Sequence, residues 1–290
     1  MPGDIDLHTH STASDGSDSP RELVRKARDI GLAAIAITDH DTVDGVAEAL
    51  DEGRKLDFEV VPGIELSTDF RGKTIHVLGY FIDHHNAFLL EKLGWAQRQR
   101  EARNEKMVAR FRELGVDITL DEVSAEAGGD VIGRPHFAVL LQKKKVVAST
   151  SEAFREFLGA GAKAYLPKMR FDAPTAISLI RAAGGLPVFA HPIMTGWTPL
   201  EIDDVVAELQ TLGLAGVEVF YTHHNPSQTL ILYDITKRRG LLPTGGSDYH
   251  GNIKPHIRLG FGVGDLAVPA SFLTGLKKAY LSSKGTGASG

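Results

Sequence analysis

Nine side chains able to ligate a divalent ion stand at or just beyond short apolar runs of this 290-residue chain: His8, His10, Asp15, His40, Glu65, His76, His191, Asp248 and His250. Six of the chain's 12 histidines fall in this set, beside three carboxylates. In His8-Thr9-His10 the two-residue period of a strand turns both imidazoles to one side, so both can grip one ion while Thr9 points away. A carboxylate such as Glu65 can bridge two ions through its two oxygens, and Asp248 can ligate beside it. Imidazole combined with carboxylate suits Mn, Zn or Fe, whereas Mg and Ca prefer oxygen alone. Nine ligands leave little room for water and substrate around two ions, so three divalent ions are expected, Mn2+ first, with Zn2+ or Fe2+ as alternatives.

Three such ions among three carboxylates leave the site at about +3, which attracts an oxyanion. Ions about 3.5 to 4 Å apart clamp a phosphoryl group, acidify a bridging water for in-line attack and neutralise the leaving oxygen. The expected nucleophile is therefore a metal-bridging hydroxide held by Glu65 and Asp248. No protein nucleophile competes with it: the chain has no Cys, Ser67 lacks a Gly-x-Ser-x-Gly context, and no glycine-rich phosphate loop opens a helix. Gly184-Gly185 and Gly245-Gly246 read as turn chemistry.

The elements that must position these groups are apolar runs alternating with helical patterns, the mark of an α/β fold built from βα units. Strands are expected at Ile5 to Leu7, Ala34 to Ile37, Val60 to Ile64, Thr74 to Tyr80, Leu186 to Ala190, Gly216 to Phe220 and Leu242 to Thr244. Their C-terminal ends carry most of the ligands, as at the mouth of a (β/α) barrel. The first helix has Ser19 as N-cap, Pro20 at its first position, Glu22 completing a capping box and Gly31 closing it. Later helices read from Val43 to Leu56, Pro174 to Ala183, Ile202 to Leu212, Ser227 to Arg239 and Ser271 to Leu281. The alternation fails over 88–165, which reads as an inserted helical subdomain with helices at Phe88 to Leu114, Leu120 to Ala127, Pro135 to Gln142 and Ser151 to Leu158. The barrel then comprises 1–87 and 166–282, and the polar 283–290 is expected to be a disordered tail.

Composition sets outer bounds. A hydrophobic content of 42% suits a packed interior, and no apolar run is long enough to cross a membrane. Acidic Asp4 and Asp6 stand where a leader would be basic, and Cys is absent, so a cytoplasmic protein is expected. A net charge of −5 without a long basic run argues against a coat for duplex nucleic acid, while a small anionic substrate stays open. Oligomeric state is not legible.

Asp-Leu-His-Thr-His-Ser at 6–11, Ile-Thr-Asp-His-Asp at 37–41, Pro-Gly-Ile-Glu at 62–65, Ala-His-Pro at 190–192 and Gly-Ser-Asp-Tyr-His at 246–250 together resemble the PHP (polymerase and histidinol phosphatase) family. The resemblance implies a distorted seven-stranded (β/α) barrel with a trinuclear site. It places His8, His10, Glu65 and Asp248 on one ion, Glu65, His76 and His191 on a second, and Asp15, His40 and His250 on a third. The Arg-bearing helix and Arg134-Pro135-His136-Phe137-Ala138 are most similar to the branch that includes phosphatases of 3′,5′-nucleotide bisphosphates and 5′ to 3′ exonucleases of short RNA. The substrate residues expected are then Arg100, Arg103, Asn104, Arg134 and His136, with bidentate guanidinium groups on a phosphate beyond the metals' reach. His223, in Tyr-Thr-His-His-Asn, is the candidate acid for the leaving group and a further substrate contact. The expected substrate is a small nucleotide or short oligonucleotide. Histidinol phosphate hydrolysis is the alternative within the family, amidohydrolysis the alternative by fold analogy, and a non-catalytic PHP binding module the alternative of another class.

Overall fold

The β-branched and aliphatic runs fold as strands because each can bury both faces, one against the barrel interior and the other against helices. The computed structural model of the chain describes residues 4–127, 132–167 and 169–286. In chain order it contains β1 (Ile5–Thr9), α1 (Pro20–Asp29), β2 (Ala34–Ile37), α2 (Val46–Leu56), β3 (Glu59–Phe70), β4 (Lys73–Tyr80), α3 (Ala87–Glu113), α4 (Leu120–Ala127), α5 (Arg134–Lys143) and α6 (Thr150–Ala153). There follow β5 (Phe171–Asp172), α7 (Ala173–Ala182), β6 (Leu186–Phe189), α8 (Pro199–Thr211), β7 (Gly216–Tyr221), α9 (Pro226–Arg238), β8 (Leu242–Gly246) and α10 (Ala270–Thr286). The chain divides into two compact units, 1–91 with 171–290, and 92–170.

The first unit is a mixed sheet in the order β1-β2-β3-β4-β6-β7-β8, with the two-residue β5 added on β3. Its edges meet: Asp248 N donates to His8 O and His10 N to Tyr249 O, both at 2.9 Å, so the seven strands curl into a nearly closed, distorted barrel. Parallel pairing is interrupted at β4, which runs antiparallel to both β3 and β6. The sequence reading ended the third strand at Ile64. It continues to Phe70 because Arg71 and Gly72, both at positive φ, make a two-residue turn that returns the chain as β4. Ile5, Leu7, Ala36, Val61, Leu78, Val188 and the α10 residues Phe272, Leu273 and Leu276 share one apolar cluster. Ser19 and Glu22 form the expected capping box on α1, and Gly31 follows the helix at φ 89°.

Two readings change here. Gly245-Gly246 is the end of β8, where a β-carbon on Gly246 would lie 2.3 Å from His8 N, so the glycine is what lets β8 approach β1. Helix α10 runs to Thr286, past the expected end at Leu281 and into the expected tail, with the Ser282 and Ser283 hydroxyls donating to the Lys278 and Tyr280 carbonyls. Residues 287–290 of that tail lie outside the described residues.

The second unit is helical and carries its own core, in which Met107, Phe111, Ile118, Val123, Phe137, Leu141 and Leu158 are buried together. Its last expected helix is α6 followed by a π-helical turn over Phe154–Leu158. No helix among the described residues is long and apolar enough to cross a membrane.

Candidate metal centre

β1 sets the first two imidazoles. Against β2 its register slips between Asp6 and Thr9, a bulge that takes one extra residue into β1 beside His8. The Asp6 carboxylate, buried on the same strand, accepts from the Ser247 amide and hydroxyl and the Gly260 amide, which ties the start of β1 to the loop carrying Asp248. Asp39 does the same for the loop carrying Asp15, accepting from Ser11 N and from the Ser11 and Ser14 hydroxyls at 2.7 Å each. Motif residues that cannot all touch an ion therefore build the loops around it.

Glu65 is the hub. Its Oε2 lies 3.2 Å from both His8 Nε2 and His10 Nε2 and 3.1 Å from His40 Nδ1. Its Oε1 lies 2.8 Å from His76 Nδ1 and 3.1 Å from His191 Nε2. Asp248 Oδ1 is 3.2 Å from His10 Nε2, and His250 Nε2 is 3.3 Å from Asp15 Oδ1. Three groups emerge whose ligand atoms lie within 4.8 Å of one another: His8, His10, Glu65 and Asp248; His10, Asp15, His40 and His250; and His40, Glu65 and His76. His40 thus stands between Glu65 and the Asp15 group, and His191 joins through Glu65. Two of the residues, His191 and Asp248, hold left-handed backbone at φ 31° and 57°.

The donor set fits divalent ions. His8 Nε2, His10 Nδ1 and Nε2, His40 Nδ1, Glu65 Oε2 and His250 Nε2 are buried with no hydrogen-bond partner, although they crowd together. Buried ring nitrogens and a carboxylate oxygen without hydrogen bonds to satisfy them are costly unless a cation stands among them. Burial pushes the His10 ring down, but Asp248 and Glu65 against it outweigh this and hold it up at about 9. Burial holds the His40 ring down at about 3. Burial would raise Glu65, yet His40, His8 and His76 hold it well below the usual carboxylate range. Divalent ions would take over the compensation of these carboxylates from protons.

Other buried groups support the ligands. Glu218 of β7, unremarked in the sequence, is fully buried and contacts His8 and the His191 amide. Asp248 Oδ2 accepts from the Tyr221 hydroxyl at 2.9 Å and from Lys254 Nζ at 3.1 Å. The signal for Glu218 was available: a Glu in the middle of the apolar run Gly216–Tyr221.

His223 is exposed, edge-on to Tyr221 at 5.8 Å between ring centroids. Its neighbour His224 is committed elsewhere, with Nδ1 donating to Val219 O, the carbonyl at the slip in the β7–β8 register. In the helical unit, Arg103 is only 8% exposed, donates Nε–H to Leu166 O and leaves Nη2 without a partner. Burial, then Arg134, Arg170 and Arg100, lowers its guanidinium to about 10. Arg134 donates to Leu158 O and lies over the Phe154 and Tyr165 rings. Asn104 donates to Ile132 O with its Oδ1 unpartnered. His136 Nδ1 accepts from Gly133 N and so caps α5. Arg170 was not anticipated from the sequence.

A family model described as the PHP domain matches residues 6–167. The 5′-3′ exoribonuclease of Haemophilus influenzae is 33% identical over 84% of this chain and 89% of its own length. The 3′,5′-nucleoside bisphosphate phosphatase of Chromobacterium violaceum is 30% identical over 85% of this chain and 87% of its own. A crystal structure from Bifidobacterium adolescentis, to which metal-dependent phosphoesterase activity has been ascribed, superposes with a TM-score of 0.79, at 30% identity over 95% of this chain and 96% of that one.

Proposed function

The chain belongs to the PHP family and is a metal-dependent phosphoesterase, and from that premise we propose that it removes the 3′-phosphate of a 3′,5′-nucleotide bisphosphate, with 5′ to 3′ trimming of short RNA as a related activity. The carrying observation is the arginine cluster of the helical unit. Arg103 is buried beside Arg134, Arg170 and Arg100, with an unpartnered Nη2. The unpartnered edge of the buried Arg103 guanidinium suits a charge-assisted hold on a phosphate other than the one at the metal centre. A substrate with two phosphates accounts for both features, whereas histidinol phosphate has nothing for the arginines to hold.

In this reading His8, His10, Glu65 and Asp248 hold one divalent ion, Glu65, His76 and His191 a second, and Asp15, His40 and His250 a third, with Mn2+ as the metal. When bound, such ions polarise the phosphoryl oxygens and make water acidic enough to attack at neutral pH. The chain's own residues position the reaction. Tyr221 and Lys254 fix the Asp248 carboxylate, Arg103 and Arg134 orient the second phosphate, Asn104 and His136 line that position, and exposed His223 delivers the proton to the leaving oxygen.

Phosphate release from adenosine 3′,5′-bisphosphate, a 5′-phosphorylated RNA dinucleotide, histidinol phosphate and a simple monoester tests the proposal. The bisphosphate should have the highest specificity constant. Arg103→Ala and Arg134→Ala should each lower it by about ten- to a hundredfold, as for loss of a charge-assisted bond, while sparing the simple monoester. An unchanged ratio between the two substrates would remove the arginines from the reading.

A further inference from the structure

The Glu218 carboxylate accepts at both oxygens. Oε1 lies 2.9 Å from His8 Nδ1 and Oε2 2.8 Å from the backbone nitrogen of His191. The second partner is a donor by constitution, and its residue stands at φ 31°, ψ 59°, left-handed backbone that a β-carbon resists. The first partner has a choice of tautomer. With the proton on Nδ1 and donated to Glu218, His8 presents a lone pair at Nε2, the atom 3.2 Å from Glu65 Oε2 that has no hydrogen-bond partner. With the proton on Nε2, the ring would turn an N–H toward the cluster and ligate nothing there.

Packing alone does not account for a glutamate at this place. Glu218 is fully buried, and no Lys or Arg among the described residues pairs with it. A glutamine has the same shape at lower desolvation cost, but only one acceptor oxygen. Two acceptor oxygens facing two donors is what glutamate supplies and glutamine does not. The register slip between Glu218 and Phe220 gives β7 an extra residue here, the kind of local bend that aims a strand side chain at a site.

We propose that Glu218 is a positioning residue for the metal centre: it fixes His8 as the Nδ1–H tautomer and anchors the strained backbone from which His191 reaches Glu65. This rests on the reading of the cluster as a metal centre. One buried carboxylate thereby presets ligands on both oxygens of Glu65, since His8 faces Oε2 and His191 faces Oε1.

Titration calorimetry of Mn2+ into chelator-treated wild type, Glu218→Gln and Glu218→Asp tests it, with circular dichroism of each metal-free protein. Glu218→Gln should lose about ten- to a hundredfold in Mn2+ affinity, the usual effect of removing a ligand's outer partner. Glu218→Asp keeps two acceptors despite a shorter stem and should bind Mn2+ more tightly than Glu218→Gln. Wild-type affinity in Glu218→Gln, or an order with Gln above Asp as volume alone would give, overturns the proposal. Absence of Mn2+ binding by the wild type would instead overturn the metal reading beneath it. Should Glu218→Gln not fold, 15N–1H correlation of the imidazoles in Zn-loaded wild type decides: protonated Nδ1 with coordination through Nε2 is expected for His8, and coordination through Nδ1 refutes it.

Discussion

Glu65 meets five imidazoles with two oxygens, so its neighbours cannot be replaced singly without leaving charge or lone pairs stranded. His76→Ala and Asp248→Ala should each lower kcat/KM by about a hundredfold or more with far-ultraviolet dichroism unchanged. Near wild-type rates in Mn-replete protein would remove these residues from the centre. Tyr221→Phe takes away one of two donors to Asp248 Oδ2 and leaves Lys254 in place. A loss of about tenfold in Mn2+ affinity is expected by calorimetry, in keeping with one bond to a charged group. The nine candidate ligands could be picked out from the sequence because a strand end aims side chains with a two-residue period. Glu218 carried a signal, as a carboxylate inside an apolar run, but its partners, like those of Asp6 and Asp39, are remote in sequence and appear only in the fold. The arginines were legible as charge, but Arg170 was not, since its proximity to Arg103 is a property of the folded unit.

Among the elements, the barrel's departures from regular βα alternation are the ones that serve the site. The β3–β4 hairpin brings His76 opposite Ser67 on the strand that bears Glu65, and no helical crossover could place the two so near in sequence. Gly246 shows the tolerance at the β1–β8 seam. A methyl group there would meet His8 N and Cβ at 2.3 and 2.4 Å, backbone and first side-chain atoms that cannot swing away. Gly246→Ala should therefore cost Mn2+ stoichiometry, read by elemental analysis after dialysis, and a full complement of ions would refute this use of the glycine. Strand positions and the long helix α3 followed from apolar period and composition. The antiparallel sense of β4 did not, because strand direction is set by the length of the connection, here the two residues Arg71 and Gly72.

At the scale of the whole molecule, all nine candidate ligands belong to the barrel unit, while the helical unit has a core of its own. Phe137→Ala, which empties a fully buried position in that second core, should cost about 3 to 5 kcal/mol in urea unfolding of the affected unit yet leave metal content unchanged. Loss of bound ions on this substitution would contradict the assignment of the centre to barrel residues alone. Ions that bind only the folded chain should also stabilise it, by about 2.7 kcal/mol for each site at a hundredfold excess over its dissociation constant, so chelation should lower Tm. The most direct test of the central claim is phosphate release from adenosine 3′,5′-bisphosphate by chelated protein as Mn2+ is returned stepwise, with bound metal counted at each step. Activity should be absent without metal and rise with occupancy to a plateau at about three ions for each chain, the count that nine convergent ligands imply. Full turnover by protein stripped of its ions would contradict the account.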